Sequence, residues 1–155
     1  MLERLRSRLG QPKPAGPQQL LRSFDPADKP ISEDGLTSDA GGWRAEVGQT
    51  RTIRLFEVSD PGVERCMLTY RAQLKGANVQ ERAYLEMWCR LPGGGEFFSK
   101  GFHDTVTGTA DWAGYEIPFR LRKGQQPDLL KLNITVEGGG TVWIKDVELL
   151  QTPLR

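Results

Sequence analysis

The sequence has a single histidine, His103, and only two cysteines, Cys66 and Cys89. Without a Cys-x-x-Cys pair or further histidines, a zinc-type centre has no ligand set. No Gly-x-Ser-x-Gly elbow is present, and His103 has only Asp104 beside it, so no nucleophile–base constellation marks an enzyme. Charge excess is missing too: 21 Lys and Arg stand against 20 Asp and Glu, with no basic stripe, which argues against a nucleic-acid partner. No apolar run approaches the roughly 20 residues that span a bilayer, so no membrane span is expected. Met1-Leu2-Glu3-Arg4-Leu5-Arg6 lacks the apolar core of a secretory signal, which makes a cytoplasmic location the default expectation. The glycine runs open no helix and are turns rather than phosphate loops. The two cysteines fall on inward phases of their segments and read either as small buried hydrophobes or as a cross-strand disulfide.

What is present is turn chemistry between alternating segments. The 18 glycines and 10 prolines gather at segment ends, as in a β domain rich in turns. Strand patterns occur at 43–47, 50–58, 65–74, 83–91, 96–102, 115–121, 130–137 and 141–150. Asp60-Pro61-Gly62, Pro92-Gly93-Gly94-Gly95 and Gly138-Gly139-Gly140 supply turns, and Gly76-Ala77-Asn78 reads as a break. Pro118 has no N–H to donate and places its strand at an edge or a bulge. In the last strand Val142 and Ile144 share one phase and Val147 and Leu149 the other, which requires a bulge near Lys145-Asp146. About eight strands at ~8–15-residue spacing predict an all-β antiparallel sandwich of jelly-roll type. Residues 1–28 read as a separate N-terminal segment, with a short helix carrying Leu2, Leu5 and Leu9 followed by a Pro-rich linker. The sandwich is expected over 29–155.

The stretch Tyr84–Leu91 has two faces. Leu85, Met87, Cys89 and Leu91 belong in a core. Tyr84, Glu86, Trp88 and Arg90 form an outer face in which aromatics alternate with an acid and a base. Sugar recognition needs flat apolar platforms flanked by groups that bond hydroxyls. Tyr84 and Trp88 lie about 13 Å apart at ~3.3 Å per residue, and Glu86, Arg90, Arg71 and Asn133 are the candidate polar readers. Either this face is open and binds, or a loop covers it and the site lies elsewhere. The second location is the group Phe97, Phe98, Phe102, His103 and Trp112, in which Trp112 reads as a core residue. Trp143 opposes Ile144 in phase and is expected outside, as a shield.

Thr109-Ala110-Asp111-Trp112-Ala113-Gly114-Tyr115-Glu116, then Lys123-Gly124, Leu132-Asn133-Ile134 and Gly140-Thr141-Val142-Trp143-Ile144-Lys145-Asp146-Val147-Glu148-Leu149, resemble the galactose-binding-like jelly roll of carbohydrate-binding modules. The resemblance covers roughly residues 40–150. It implies a noncatalytic binding module for a glycan. The alternative is a protein-interaction or accessory domain whose outer sheet packs on a partner or a neighbouring domain. It also implies a structural calcium between the final strand and the N-terminal loop. Asp146 would be its strand ligand and Glu33, Asp34 or Asp39 its loop oxygens, although Lys145 stands where the pattern has its first Asp. No other cofactor is expected.

Overall fold

The computed structural model describes residues 13–155. The short helix expected at Leu2–Leu9 lies outside them. Among the described residues no helix is long and apolar enough to cross a membrane. Nine strands follow one another in the described residues: β1 (Gln19–Phe24), β2 (Leu36–Asp39), β3 (Gly42–Val47), β4 (Arg51–Ser59), β5 (Cys66–Leu91), β6 (Gly95–Lys100), β7 (Val106–Arg120), β8 (Leu129–Glu137) and β9 (Gly140–Pro153). All pairings are antiparallel. They form one curled sheet that folds into a jelly-roll sandwich.

The 26-residue strand β5 joins the two layers. Its first half pairs with β7 on one side and β9 on the other, and β9 in turn pairs with β3 and then with β1. Its second half pairs with β6 and β8, and β8 pairs with β4. Leu68, Tyr70, Ala72 and Leu74 from the first half are buried in one core with Leu85, Met87 and Cys89 from the second and with Leu132, Ile134 and Val136. Strict period-2 alternation in both halves makes this burial continuous. Tyr70 crosses between the layers, its hydroxyl donating to the carbonyl oxygen of Asn133 at 3.2 Å.

Gly76-Ala77-Asn78 is a bend within β5 and not a strand end. The ladder with β7 shifts register at Leu74/Gly76, Gly76/Val79 and Val79/Ala83. A Cβ on Gly76 would come within 2.6 Å of Val106 Cγ1, so only glycine lets the strand turn against its neighbour there. The same ladder explains why β7 begins at Val106, well before the expected start at Tyr115. Its alternation holds as expected over Tyr115, Ile117, Phe119 and Leu121, which pack on the core.

The N-terminal boundary moves. β1 pairs with β9 from Gln19↔Gln151 to Phe24↔Val147, inside the segment that was expected to stand apart. Phe24 is the anchor: it stacks on Phe56 at 4.1 Å, with Trp43 edge-on to the same ring at 5.2 Å. A lone buried phenylalanine in a polar, Pro-flanked stretch gives too little periodicity to show this. The bulge in β9 falls where the phases demanded. Arg71 pairs with Glu148 and Gln73 with Lys145, which leaves one extra residue in β9. Asp146 takes a left-handed φ of 53° there, at the point where β9 changes partner from β3 to β1. Cys66 and Cys89 are free buried thiols. Burial raises Cys66 to about 11. It raises Cys89, with a smaller contribution from the nearby Cys66, to about 12.

Candidate functional site

The outer face of the second layer is a grid set by strand register. Tyr84 stands beside Thr135, which stands beside Thr52; Glu86 lies between Lys100 and Asn133; Trp88 lies between Phe98 and Lys131; Arg90 lies between Glu96 and Leu129. The compact Pro92-Gly93-Gly94 turn fixes the β5–β6 half of this grid, since a tight hairpin allows one register.

Glu86 is the buried centre, 5% exposed. Its Oε1 accepts from Trp88 Nε1 at 2.7 Å and from Asn133 Nδ2 at 3.2 Å, and its Oε2 accepts from the Thr135 hydroxyl at 3.1 Å. Lys100 Nζ lies 3.8 Å from the same carboxylate. The Thr135 hydroxyl is also 2.9 Å from that of Thr52, so the network continues to β4. A buried carboxylate with three donors and a cation is satisfied, so it orients its neighbours rather than reaching for a ligand.

Above this network lies an aromatic strip. Trp88, half-buried, meets Phe98 at 5.2 Å with the rings tilted by 54°. Tyr84 meets Phe102 edge-on at 4.9 Å. Phe98 is 54% exposed and Phe102 49%, whereas Tyr84 is only 5% exposed. Lys100 stands over Phe98 at 4.8 Å, and Arg82 over Phe102 at 4.7 Å. The cations of the face have carboxylate partners: Arg54 with Glu57, Arg82 with Glu137, Arg90 with Asp128, Lys100 with Glu86 and Lys131 with Glu96. The hydrogen bond to Asp128 raises the Arg90 guanidinium further and keeps it charged.

Five of the expected site residues therefore share one face: Tyr84, Glu86, Trp88, Arg90 and Asn133. Their roles differ from expectation. Tyr84 is floor, covered by Phe102; burial raises its hydroxyl above the usual range. Glu86 is engaged by Asn133, Thr135 and Trp88, and the Asn133 amide is engaged by Glu86. Arg71 is a correction: it lies on the outer face of the first layer, bonded to Glu148 through Nη2 at 2.9 Å. There it lines a separate cleft of about 410 Å³ with His103, Asp104, Gly114, Tyr115 and Glu116. The β5 bend carries residues before and after 76–78 into different layers, which the alternation of each half cannot reveal. The second candidate group divides in the same way. Phe98 and Phe102 join Trp88 on one strip, while Trp112 is not core but lies on the first layer's outer face under Lys145 Nζ, 4.3 Å from its ring. Trp143 shares that outer side as expected, its Nε1 donating to Asp39 Oδ2 at 3.0 Å. Lys100 was the residue missed as a neighbour of Glu86, and the hairpin register was its signal; Phe102, named in the second group, reaches Tyr84 through the turn that follows β6.

Asp146 is exposed at its bulge, Asp39 is bonded to Trp143, and Glu33 pairs with Lys29 at 3.0 Å. Among the described residues no group of three or more His, Cys, Asp or Glu side chains converges to hold an ion.

No protein-family model matches the sequence. No curated protein matches it. The fold is a jelly-roll β-sandwich like that of carbohydrate-binding modules. Among solved structures the chain is similar to the CBM22-1 xylan-binding domain of Xyn10C from Paenibacillus barcinonensis, with a TM-score of 0.58 and 10% identity over 90% of this chain and 98% of that one. It is also similar to the enzymatically active domain of tailspike protein 4 of bacteriophage CBA120, with a TM-score of 0.50 and 12% identity over 89% of this chain but only 19% of that one. At such identities the likeness is one of fold.

Proposed function

We propose that this chain is a noncatalytic module that binds a neutral glycan on the outer face of its second layer. The observation that carries the reading is the ring pair of half-buried Trp88 and exposed Phe98, seated on a buried polar network that fixes the indole. Flat rings of this kind accept the C–H faces of a sugar, and their immobilisation removes an ordering cost at binding. Because the cations of this face have carboxylate partners, no unpaired field selects an acidic ligand. Thr52, Lys131 and Arg90 are the polar groups at the margins of the strip. The noncatalytic reading rests on Glu86. It is enclosed and fully bonded, and its cross-strand neighbours are Asn133 and Lys100 rather than the second carboxylate that glycoside hydrolysis uses.

The test is titration of intrinsic tryptophan fluorescence with soluble neutral oligosaccharides, xylan-, mannan- and galactan-derived, alongside acidic ones. Binding of a neutral oligosaccharide that Trp88→Ala abolishes, and that Phe98→Ala weakens about tenfold, is expected. The reading fails if no neutral oligosaccharide binds, or if one binds equally well to Trp88→Ala. A second reading, a protein-interaction module, is favoured by Phe97, 48% exposed beside Phe98. Capture of a protein partner through these rings, with no glycan bound, is its signature.

A further inference from the structure

Among the described residues, every edge of the sandwich except β6 is covered, short or irregular. The β4 edge is occupied by backbone bonds from Ile31 N to Leu55 O at 2.9 Å and from Ser32 N to Arg54 O at 2.8 Å. β7 carries Pro118 and repeated register shifts, β2 is four residues long, and β1 has an irregularity between Leu20 and Arg22. Among the described residues β6 pairs with β5 alone, and it holds no proline and no bulge. Two of its six residues are exposed phenylalanines.

The backbone of β6 is set for a partner. Gly101 N donates to Leu85 O at 2.9 Å, which makes that pair a hydrogen-bonded one. Alternation along an antiparallel ladder then turns the polar backbone groups of Gly95, Phe97 and Ser99 toward β5, and those of Glu96, Phe98 and Lys100 toward the open edge. The sequence of β6 is also self-complementary. If a second copy runs antiparallel about Phe98, Phe98 meets Phe98, Phe97 meets Ser99, and Glu96 meets Lys100 in both directions. The pairs that face each other are the three with outward backbone groups.

We propose that β6 is a docking edge for a second copy of this chain, in a two-fold antiparallel pairing centred on Phe98. The pairing is isologous and closes on itself, so it ends at a dimer. It joins existing ion pairs into a row of alternating charge. Lys131 Nζ is 2.9 Å from Glu96, and Lys100 Nζ 3.8 Å from Glu86, so Lys131, Glu96 and then Lys100 and Glu86 of the other copy follow in order across the interface. The exposed Phe97 rings become diagonal neighbours, within reach of one another. The two Trp88–Phe98 strips meet at the two-fold axis. The dimer stands independently of any glycan, and it is measured without one.

Sedimentation equilibrium of the full chain over a wide concentration range tests the pairing. The wild type is expected to dimerise in a concentration-dependent way. Glu96→Lys and Lys100→Glu each place like charges opposite one another and weaken dimerisation at least about tenfold. An equimolar mixture of these two variants restores opposite charges at both pairs and recovers a one-to-one dimer. A wild type that stays monomeric throughout overturns the proposal. So do single variants that dimerise as the wild type does, or folded variants that fail to associate on mixing. Lys100 neighbours Glu86, so if either variant loses the wild-type near-UV circular dichroism, Phe98→Asp replaces the pair. This exposed position leaves the core untouched and sets two like charges at the centre. Loss of the dimer supports the pairing, and retention refutes it.

Discussion

Replacing Glu86 with alanine removes the centre of the outer-face network, and the structure allows the cost to be worked through. Three donors lose a carboxylate: Trp88 Nε1, Asn133 Nδ2 and the Thr135 hydroxyl. Trp88 is half-buried, so its indole N–H turns to water; Thr135 keeps Thr52 as a partner. Asn133 is 5% exposed, and its amide is left without a replacement. An orphaned buried polar group costs about 1–3 kcal/mol, and hydrogen bonds to a charged group contribute about 1.5–3 kcal/mol each. Allowing for the two donors that recover partners, the expected loss for Glu86→Ala is about 3 kcal/mol. At roughly 2–4 °C per kcal/mol for a domain of this size, Tm falls by about 6–12 °C. Glu86→Gln behaves differently. Its carbonyl oxygen keeps Trp88 and Asn133, and the Thr135 hydroxyl rotates to accept from the new amide. Only charge assistance and the Lys100 partner are lost, at about 1 kcal/mol. Urea unfolding of the three proteins, with unchanged m-values, measures both quantities. A Glu86→Ala variant within about 1 kcal/mol of wild type, or a Glu86→Gln variant as damaged as Glu86→Ala, refutes the central role assigned to this carboxylate.

Gly140→Ala is expected to destabilise by at least about 2 kcal/mol, because φ there is 136° and the new Cβ would lie 2.7 Å from Val79 Cα; thermal unfolding reads this directly. Both thiols titrate higher in the folded chain than the ordinary value of 9.0. The unfolded chain therefore loses these protons first, and stability present below pH 9 declines as pH rises toward about 11–12, by up to about 1.4 kcal/mol per pH unit for each thiol. Urea midpoints at pH 8, 9 and 10 check this, and a flat profile contradicts it. Arg71→Ala is expected to leave glycan binding unchanged and to cost less than about 1 kcal/mol, since its partly exposed pair with Glu148 lies on the other layer; fluorescence titration and urea unfolding of the same variant test both parts.

The strands legible in the sequence were those whose apolar residues alternate without interruption, such as the halves of β5 and the run Leu132, Ile134 and Val136. Period-2 alternation is a local property and needs no knowledge of neighbours. The bulge at Asp146 was readable for the same reason, because a phase reversal inside one strand has no other cheap solution. β1 was not readable, because its place in the domain rests on its ladder with β9 and on Phe24 finding Phe56 and Trp43 across the fold.

The outer face of Tyr84–Arg90 followed from alternation alone, and so did its unusual chemistry. Only the tertiary structure decided which groups meet on that face. Strand register put Phe98 beside Trp88 and Lys100 beside Glu86, and the chain after β6 laid Phe102 over Tyr84. The bend at Gly76 sent Arg71 to the opposite layer, although it lies only a short way along the same strand from Glu86. Which side of a strand a residue occupies is set by its own neighbours in sequence. What stands next to it on that side is set by turns, bends and register, which belong to the whole chain.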